Sequence, residues 1–416
     1  MLVSFHSLVL LAVCAAAVPH KPVSRAGNRI ITKLTKPTPS KRAYNILAHD
    51  QARVQALGKA IPSSKTPSSP EAYQPLDNQE FDYTAPVCIG NDSTIYNLLV
   101  DTGSSITWLG AKEPYHKSPN GVETDDDMSV DYGSQSFEGE LIINCTLAYD
   151  SLRLADDLIV NNQSIGVAKK VSTGFYPLDG VFGLGPTALT EGTVSSGSHF
   201  LVPTILDTLY AEGTIYSKIF GLGFEPTDFS DVRNGEITWG GIDESRTDGP
   251  VHYVNITDAS PANRYWGFNQ SISYGNDTIL DSTSGIIYSG MRLCLLPSAA
   301  YEAYKAATGA EFDWRTQLLR IPAERYSELQ SLYFIIDGVS FELTPNAQIW
   351  PRTINWFIGG TRDYVYSIIG QLGDRTDPGI GFVLGYTFLE RFYSVYDVDN
   401  RRIGLARTPY TYAESN

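Results

Sequence analysis

The stretch "NLLVDTGSSITWLG", residues 97–110, sets a carboxylate, Asp101, after the apolar run Leu98-Leu99-Val100 and before Thr102, Gly103 and Ser104. That order has a chemical logic. Glycine permits a tight turn that other residues resist, so a strand can end there and leave its acid on the floor of a groove. Thr102 can reach a partner turn with its hydroxyl, and Ser104 can hydrogen-bond the carboxylate. One carboxylate is half of an acid–base pair. Two in contact cannot both ionise, so they share a proton. The ionised member then activates a water while the protonated one polarises a carbonyl, chemistry that needs no metal and no cofactor. Serine, cysteine and zinc routes lack their motifs: there is no Gly-x-Ser-x-Gly or His-Glu-x-x-His, and only His116, His199 and His252 lie beyond residue 70.

A second turn of the same shape occurs in "SGIIYSGMRLCLLP", residues 284–297. Ile286-Ile287, Ser289 and Gly290 repeat the apolar run, the hydroxyl and the glycine. Tyr288 stands where Asp101 stands, and Met291 where Ser104 stands. Each copy is followed by an apolar pair ending in glycine, at Gly183 and at Gly385. This weak internal repeat predicts two β lobes, each offering one turn to a shared cleft.

With these residues goes a longer series in order: "VDTGSS", "DYGSQSFEG", "DGVFGLGP", "EITWGGID", "RYWGFNQSISYG", "FELTPNAQIWP" and "LGYTFLERFYSVYDVDNRRIGLA". Over nearly all of residues 76–408 the chain resembles the pepsin family of aspartic proteases, and within it the polyporopepsin-like secreted enzymes of fungi. The resemblance implies a mostly β, two-lobed fold around a peptide-binding cleft, a zymogen leader, and hydrolysis of internal peptide bonds at acid pH. It makes Asp101 the first-lobe catalytic residue. It places Tyr132 and Gly133 on a hairpin flap over the cleft, with Trp108 backing the tyrosine from beneath. Gln135 departs from the usual glycine of that flap.

The second carboxylate is missing. In the family's second turn the acid follows two apolar residues, with glycine two positions later and often proline nine positions later. Tyr288 meets these tests with Ile286-Ile287, Gly290 and Pro297. The nearby Asp281 follows Ile279-Leu280 but has Thr283 and Gly290 at the other two positions. A tyrosine ordinarily ionises only near pH ~10, so it supplies neither the paired charge nor the shared proton. Removing one member of a cooperating catalytic set commonly costs several orders of magnitude in rate.

The remaining features concern elements that position this site and carry the chain to its place of action. Short apolar or alternating runs separated by Gly, Pro, Asn and Asp favour strands; the most helix-like piece is 45–60, with Ile46, Leu47, Val54 and Leu57 at helical offsets. Residues 1–17 read as a signal peptide, with an apolar core too short to span a bilayer before Ala15-Ala16-Ala17. Residues 18–70 hold ten Lys/Arg and a single acid, Asp50, in a chain of net charge −15. That contrast predicts a basic propeptide, 18–75, held partly by charge attraction to an acidic body. Its end, from Pro62 to Pro75, reads as a linker and processing region. The lobes are expected at 76–245 and 246–408, with a tail at 409–416.

Sequons at Asn91, Asn144, Asn162, Asn255, Asn269 and Asn276 predict a secreted, extracellular glycoprotein. Once Cys14 leaves with the signal, Cys88, Cys145 and Cys294 allow at most one internal bridge. The expected partners are the chain's own propeptide and a peptide or unfolded polypeptide in the cleft. Nucleic acid is excluded by the acidic body and a membrane by the lack of a spanning segment; a monomer is expected. Two activities stay open: a peptide-binding, catalytically impaired homologue, and an active acid endopeptidase with an altered dyad.

Overall fold

The computed structural model describes residues 30–36, 45–57, 82–90, 94–135, 139–155, 158–171, 178–195, 201–227, 232–373 and 379–416. The signal segment 1–17, the linker from Pro62 to Pro75, and Asn91 lie outside the described residues. In the leader, β1 (Ile30–Lys36) precedes α1 (Ile46–Leu57), which forms where the apolar offsets predict it.

The first half then runs β2 (Thr84–Ile89), β3 (Ile95–Asp101), β4 (Trp108–Leu109), β5 (Val122–Gln135), β6 (Gly139–Ala155), β7 (Leu158–Lys170) and β8 (Gly180–Gly183). After α2 (Ile205–Ala211) come β9 (Ile219–Phe224) and β10 (Val232–Trp239). The second half opens with β11 (His252–Asn255), β12 (Gly267–Tyr274), β13 (Asp277–Ile287) and β14 (Cys294–Leu296), followed by α3 (Ser298–Thr308). It continues with β15 (Glu311–Asp313), β16 (Leu318–Pro322), β17 (Leu332–Ile336), β18 (Val339–Leu343), β19 (Tyr364–Tyr366), β20 (Ile369–Gln371) and β21 (Val383–Leu384). A short α4 (Tyr386–Leu389), β22 (Phe392–Asp397) and β23 (Arg402–Arg407) complete it.

The expected repeat is built into the strand pairing. In the first half β3 runs parallel to β8, which runs antiparallel to β4, which runs parallel to β7. In the second, β13 runs parallel to β21, which runs antiparallel to β14, which runs parallel to β20. The register agrees to the residue. Trp108, seven after Asp101, pairs with Val181; Leu295, seven after Tyr288, pairs with Val383. Each glycine that closes the motif is forced by a close approach. A Cβ on Gly183 would lie 2.6 Å from the Ser105 carbonyl carbon, and one on Gly385 would lie 2.5 Å from Leu293 O. Ser105 and Leu293 belong to the same piece of each turn.

A shared sheet joins the halves, because β22 from the second pairs with β9 from the first. The leader is woven into that sheet. β1 lies between β10 and β2, in register from Ile30 opposite Trp239 to Leu34 opposite Gly235 and shifted by a bulge before Lys36 opposite Val232, and the Trp239 indole donates to the buried Thr32 hydroxyl at 3.1 Å. Residues 30–57 are thus attached through a backbone ladder and apolar burial.

Cys88, Cys145 and Cys294 are all free thiols, so the single bridge the count allows is not made. Burial pushes the Cys145 and Cys294 thiols up to about 12. Stability rests on the apolar core, which runs through both halves and takes in Ile46, Leu47, Val54 and Leu57 of α1.

Candidate active-site cleft

The two turns meet tip to tip. The Thr102 N–H donates to Ser289 Oγ at 3.0 Å, and the Ser289 N–H donates to Thr102 Oγ1 at 3.0 Å. Each hydroxyl then donates onward to the carbonyl just before the opposite turn: Ser289 Oγ to Val100 O at 2.8 Å, Thr102 Oγ1 to Ile287 O at 3.4 Å. Both side chains are fully buried. This reciprocal knot locks the turns into one orientation, because breaking it strands several buried polar groups at once.

Asp101 is fully buried at the end of β3 and accepts from the Gly103 N–H at 2.8 Å through Oδ1. Its second oxygen, Oδ2, has no hydrogen-bond partner among the described residues. Burial pushes its carboxyl above the usual range, opposed by the nearby Arg53 guanidinium and the Gly103 N–H. The Ser104 hydroxyl and N–H stand beside the carboxylate, where they favour its charged form.

On the other side stands the Tyr288 ring, only 2% exposed. It lies against Gly103: a Cβ there would meet Cε2 at 2.5 Å and Cζ at 2.6 Å. A Cβ on Gly290 would meet Arg53 Nη1 at 2.7 Å, the Tyr288 ring at 2.8 Å and Asp101 Cγ at 3.1 Å. Acid, ring and guanidinium therefore converge on one point. Asp281 is exposed within β13, seven residues from Tyr288, or about 20 Å along the strand. It is not brought to Asp101.

The residues expected on a flap lie on β5. Trp108 is buried in an apolar cluster with Met128 and Val130 of that strand. Tyr132 and Gly133 fall within β5, but their side chains lie outside the described residues. The sequons at Asn144, Asn162, Asn255, Asn269 and Asn276 all sit at exposed positions.

Two groups in the cleft escape a motif search. α1 packs between β5 and β20, and its Arg53 Nη1 donates to Gly290 O. Asp50, fully buried, accepts through Oδ2 from the N–H groups of Arg292 and Leu293 at 3.0 and 2.7 Å. The only signal that could have found them is compositional. Asp50 is the one acid in an otherwise basic leader, and Arg53 follows it on the helical face marked by Ile46, Leu47, Val54 and Leu57.

A model of the eukaryotic aspartyl protease family matches residues 82–408. The chain belongs to this family. Among aspartyl proteases it is 48% identical to polyporopepsin of Irpex lacteus over 343 residues, spanning 82% of this chain and 98% of that protein. It is 26% identical to gastricsin of Cavia porcellus over 365 residues, 82% of this chain and 84% of that one. The crystal structure of the aspartic proteinase from Irpex lacteus superposes with a TM-score of 0.79 at 42% identity, covering 94% of this chain and all of that one. The pepsin-like, two-lobed β fold expected from the sequence is therefore the fold of this aspartyl protease homologue.

Proposed function

We propose that this chain is a secreted member of the family that binds polypeptide in its cleft and does not hydrolyse it by the two-carboxylate route. The observation that carries the reading is the Tyr288 ring against Gly103, where a second-lobe acid would have to stand to share a proton with Asp101. A neutral phenol cannot hold that proton, and its ring fills the space that an attacking water needs. Met291, fully buried, removes the hydroxyl that would support a second acid. The surrounding apparatus is intact, with Asp101 set at the cleft floor and the Thr102–Ser289 knot closed. Secretion rests on the signal-like residues 1–17 and on the exposure of five sequons.

A second reading, an acid endopeptidase with an altered dyad, draws on Asp101 itself, whose burial favours its protonated form. Incubation of the purified, processed protein, freed of its leader, with denatured globin at acid pH, with and without a pepstatin-like inhibitor, separates the two. The expected result is no inhibitor-sensitive cleavage. Cleavage abolished by the inhibitor overturns the proposal.

A further inference from the structure

In the internal repeat Arg292 stands four residues after Tyr288, as Ser105 stands four after Asp101. Ser105 needs no counter-charge and donates from Oγ to Pro186 O at 2.6 Å. Arg292 is fully buried, and burying a charge costs several kcal/mol unless partners of good geometry receive it. One partner is Asp82, 3.0 Å from Nη2. Beside it lies a place for a second acid. The N–H groups of Arg292 and Leu293 both donate to one carboxylate oxygen, Asp50 Oδ2, at 3.0 and 2.7 Å. His49 Nδ1 is 3.4 Å from both Arg292 Nη1 and Asp50 Oδ1, so guanidinium and carboxylate stand at most ~7 Å apart, in range of direct attraction. The body of the chain sets the direction of both N–H groups. A peptide unit is planar, so fixing a carbonyl fixes the next N–H. Met291 O accepts from the Tyr386 N–H at 2.7 Å, and Arg292 O accepts from the Thr387 N–H at 3.3 Å and its hydroxyl at 2.5 Å.

Resting on the reading of a polypeptide-binding cleft, we propose that Arg292 is a specificity-determining residue: it makes this side of the cleft a socket for the carboxylate of an aspartate or glutamate in the bound polypeptide. The Asp50 carboxylate shows the species the socket takes, and the ligand's carboxylate replaces it once the leader is gone. Two adjacent N–H groups left there without an acceptor would cost free energy, and hydrogen bonds to a carboxylate are about twice as strong as those to a neutral oxygen. An amide side chain offers the same oxygen without the charge, so the buried guanidinium selects acid over amide. The net charge of the chain cannot supply this preference. It is −15 overall, and ten of the bases lie in residues 18–70, so the leader-free body repels acidic ligands at long range. Selection for an acid is therefore local. It arises where the second turn gains a charge that Ser105 lacks in the first.

The test takes protein expressed as the full chain and then freed of its leader. The probes are capped, labelled octapeptides, otherwise uncharged, with one aspartate at each position in turn, each beside its asparagine counterpart. At one position aspartate should bind at least about tenfold more tightly than asparagine, because a hydrogen bond to a charged group is worth that much or more. In Arg292→Ser/Asp82→Asn, which leaves no buried acid without its cation, the preference should shrink below about threefold. The socket is also read in the full chain by Asp50→Ala, which removes the resident carboxylate. Sodium formate should raise the Tm of that variant by at least about 1 °C over sodium chloride at equal concentration, and the wild-type chain should show no such difference. Should the Arg292 variant not fold, the octapeptide and formate measurements decide without it. Equal binding of aspartate and asparagine at every position, the same preference at all positions, a preference that survives in the Arg292 variant, or no formate effect each overturns the inference and leaves polypeptide binding standing. If no octapeptide binds, both fall together.

Discussion

The Tyr288 ring and Gly103 are in van der Waals contact across the two lobes, so closely that a side chain at 103 has nowhere to go. The φ of Gly103 lies outside the left-handed region, so the restriction comes from the ring and not from backbone strain. Gly103→Ala should therefore cost about 1–3 kcal/mol by overpacking. In a Tyr288→Ala background most of that cost should vanish. Urea midpoints for the four chains give the coupling; additive effects would mean that the ring does not bear on Gly103 in solution.

The Thr102–Ser289 knot is expected to behave as a unit. Ser289→Ala strands the buried Thr102 N–H and Val100 carbonyl, at a cost of about 1–3 kcal/mol. Thr102→Val removes the same lock from the other side. Their sum should exceed the cost of the double variant, because after the first loss the second partner has little left to hold. Chemical denaturation of the two single variants and the double variant checks this, and strict additivity counts against a shared lock.

Much of this arrangement could be read in the sequence because it is local. Asp101-Thr102-Gly103 and Gly183 announce themselves by spacing, as Ser289-Gly290 and Gly385 do, since Gly183 and Gly385 are imposed by backbone contacts and Gly103 and Gly290 by the side chains that crowd them. α1 was legible from its four apolar offsets. What the helix does was not, because the backbone groups of Gly290, Arg292 and Leu293 that Arg53 and Asp50 engage lie more than 230 residues away. The insertion of β1 between β10 and β2 is hidden for the same reason: strand pairing over two hundred residues leaves no local pattern.

Asp101 and Asp150 should pull stability in opposite directions with pH. Burial raises the Asp101 carboxyl above its unfolded value, so the fold favours its protonated form and carries a penalty at neutral pH that fades on acidification. Asp101→Asn should raise Tm at pH ~7 and lose that advantage below pH ~4. At Asp150 burial also opposes ionisation, but hydrogen bonds from Ser118 at 2.5 and 2.9 Å, from Tyr115 at 2.6 Å and from Ser151 outweigh it and lower the pKa. Its stabilisation is present above the unfolded pKa of ~4 and is lost as pH falls through the lowered value. Asp150→Asn should thus lower Tm most at neutral pH. Thermal scans across that range decide both signs.

Asn269 offers a check on secretion that also reads local structure. Its Oδ1 accepts from the Ser284 and Thr257 hydroxyls at 2.6 and 3.0 Å, which leaves Nδ2, the atom that carries an N-linked glycan, pointing away from those partners. Protein secreted from a eukaryotic host should lose mass on enzymatic deglycosylation, and peptide mapping should find glycan at 269. An unmodified Asn269 in secreted protein would count against this reading of the exposed Asn269 side chain on β12.

The last prediction concerns what it takes to make the cleft cut. Tyr288→Asp with Met291→Thr supplies the missing acid and a hydroxyl beside it, so inhibitor-sensitive cleavage of denatured globin at acid pH should rise by at least about 100-fold, as positioned acid–base groups provide. While residues 18–75 stay attached, Arg53 works against that gain. A guanidinium between Asp101 and a new acid at 288 would draw both pKa values down, holding both ionised where one must keep a proton. Adding Arg53→Met should therefore increase cleavage further and shift its pH optimum upward, since the freed pair then binds its shared proton more tightly. If the triple variant is no faster than the double, Arg53 does not govern the pair; if neither cuts, the cleft has lost more than its second carboxylate.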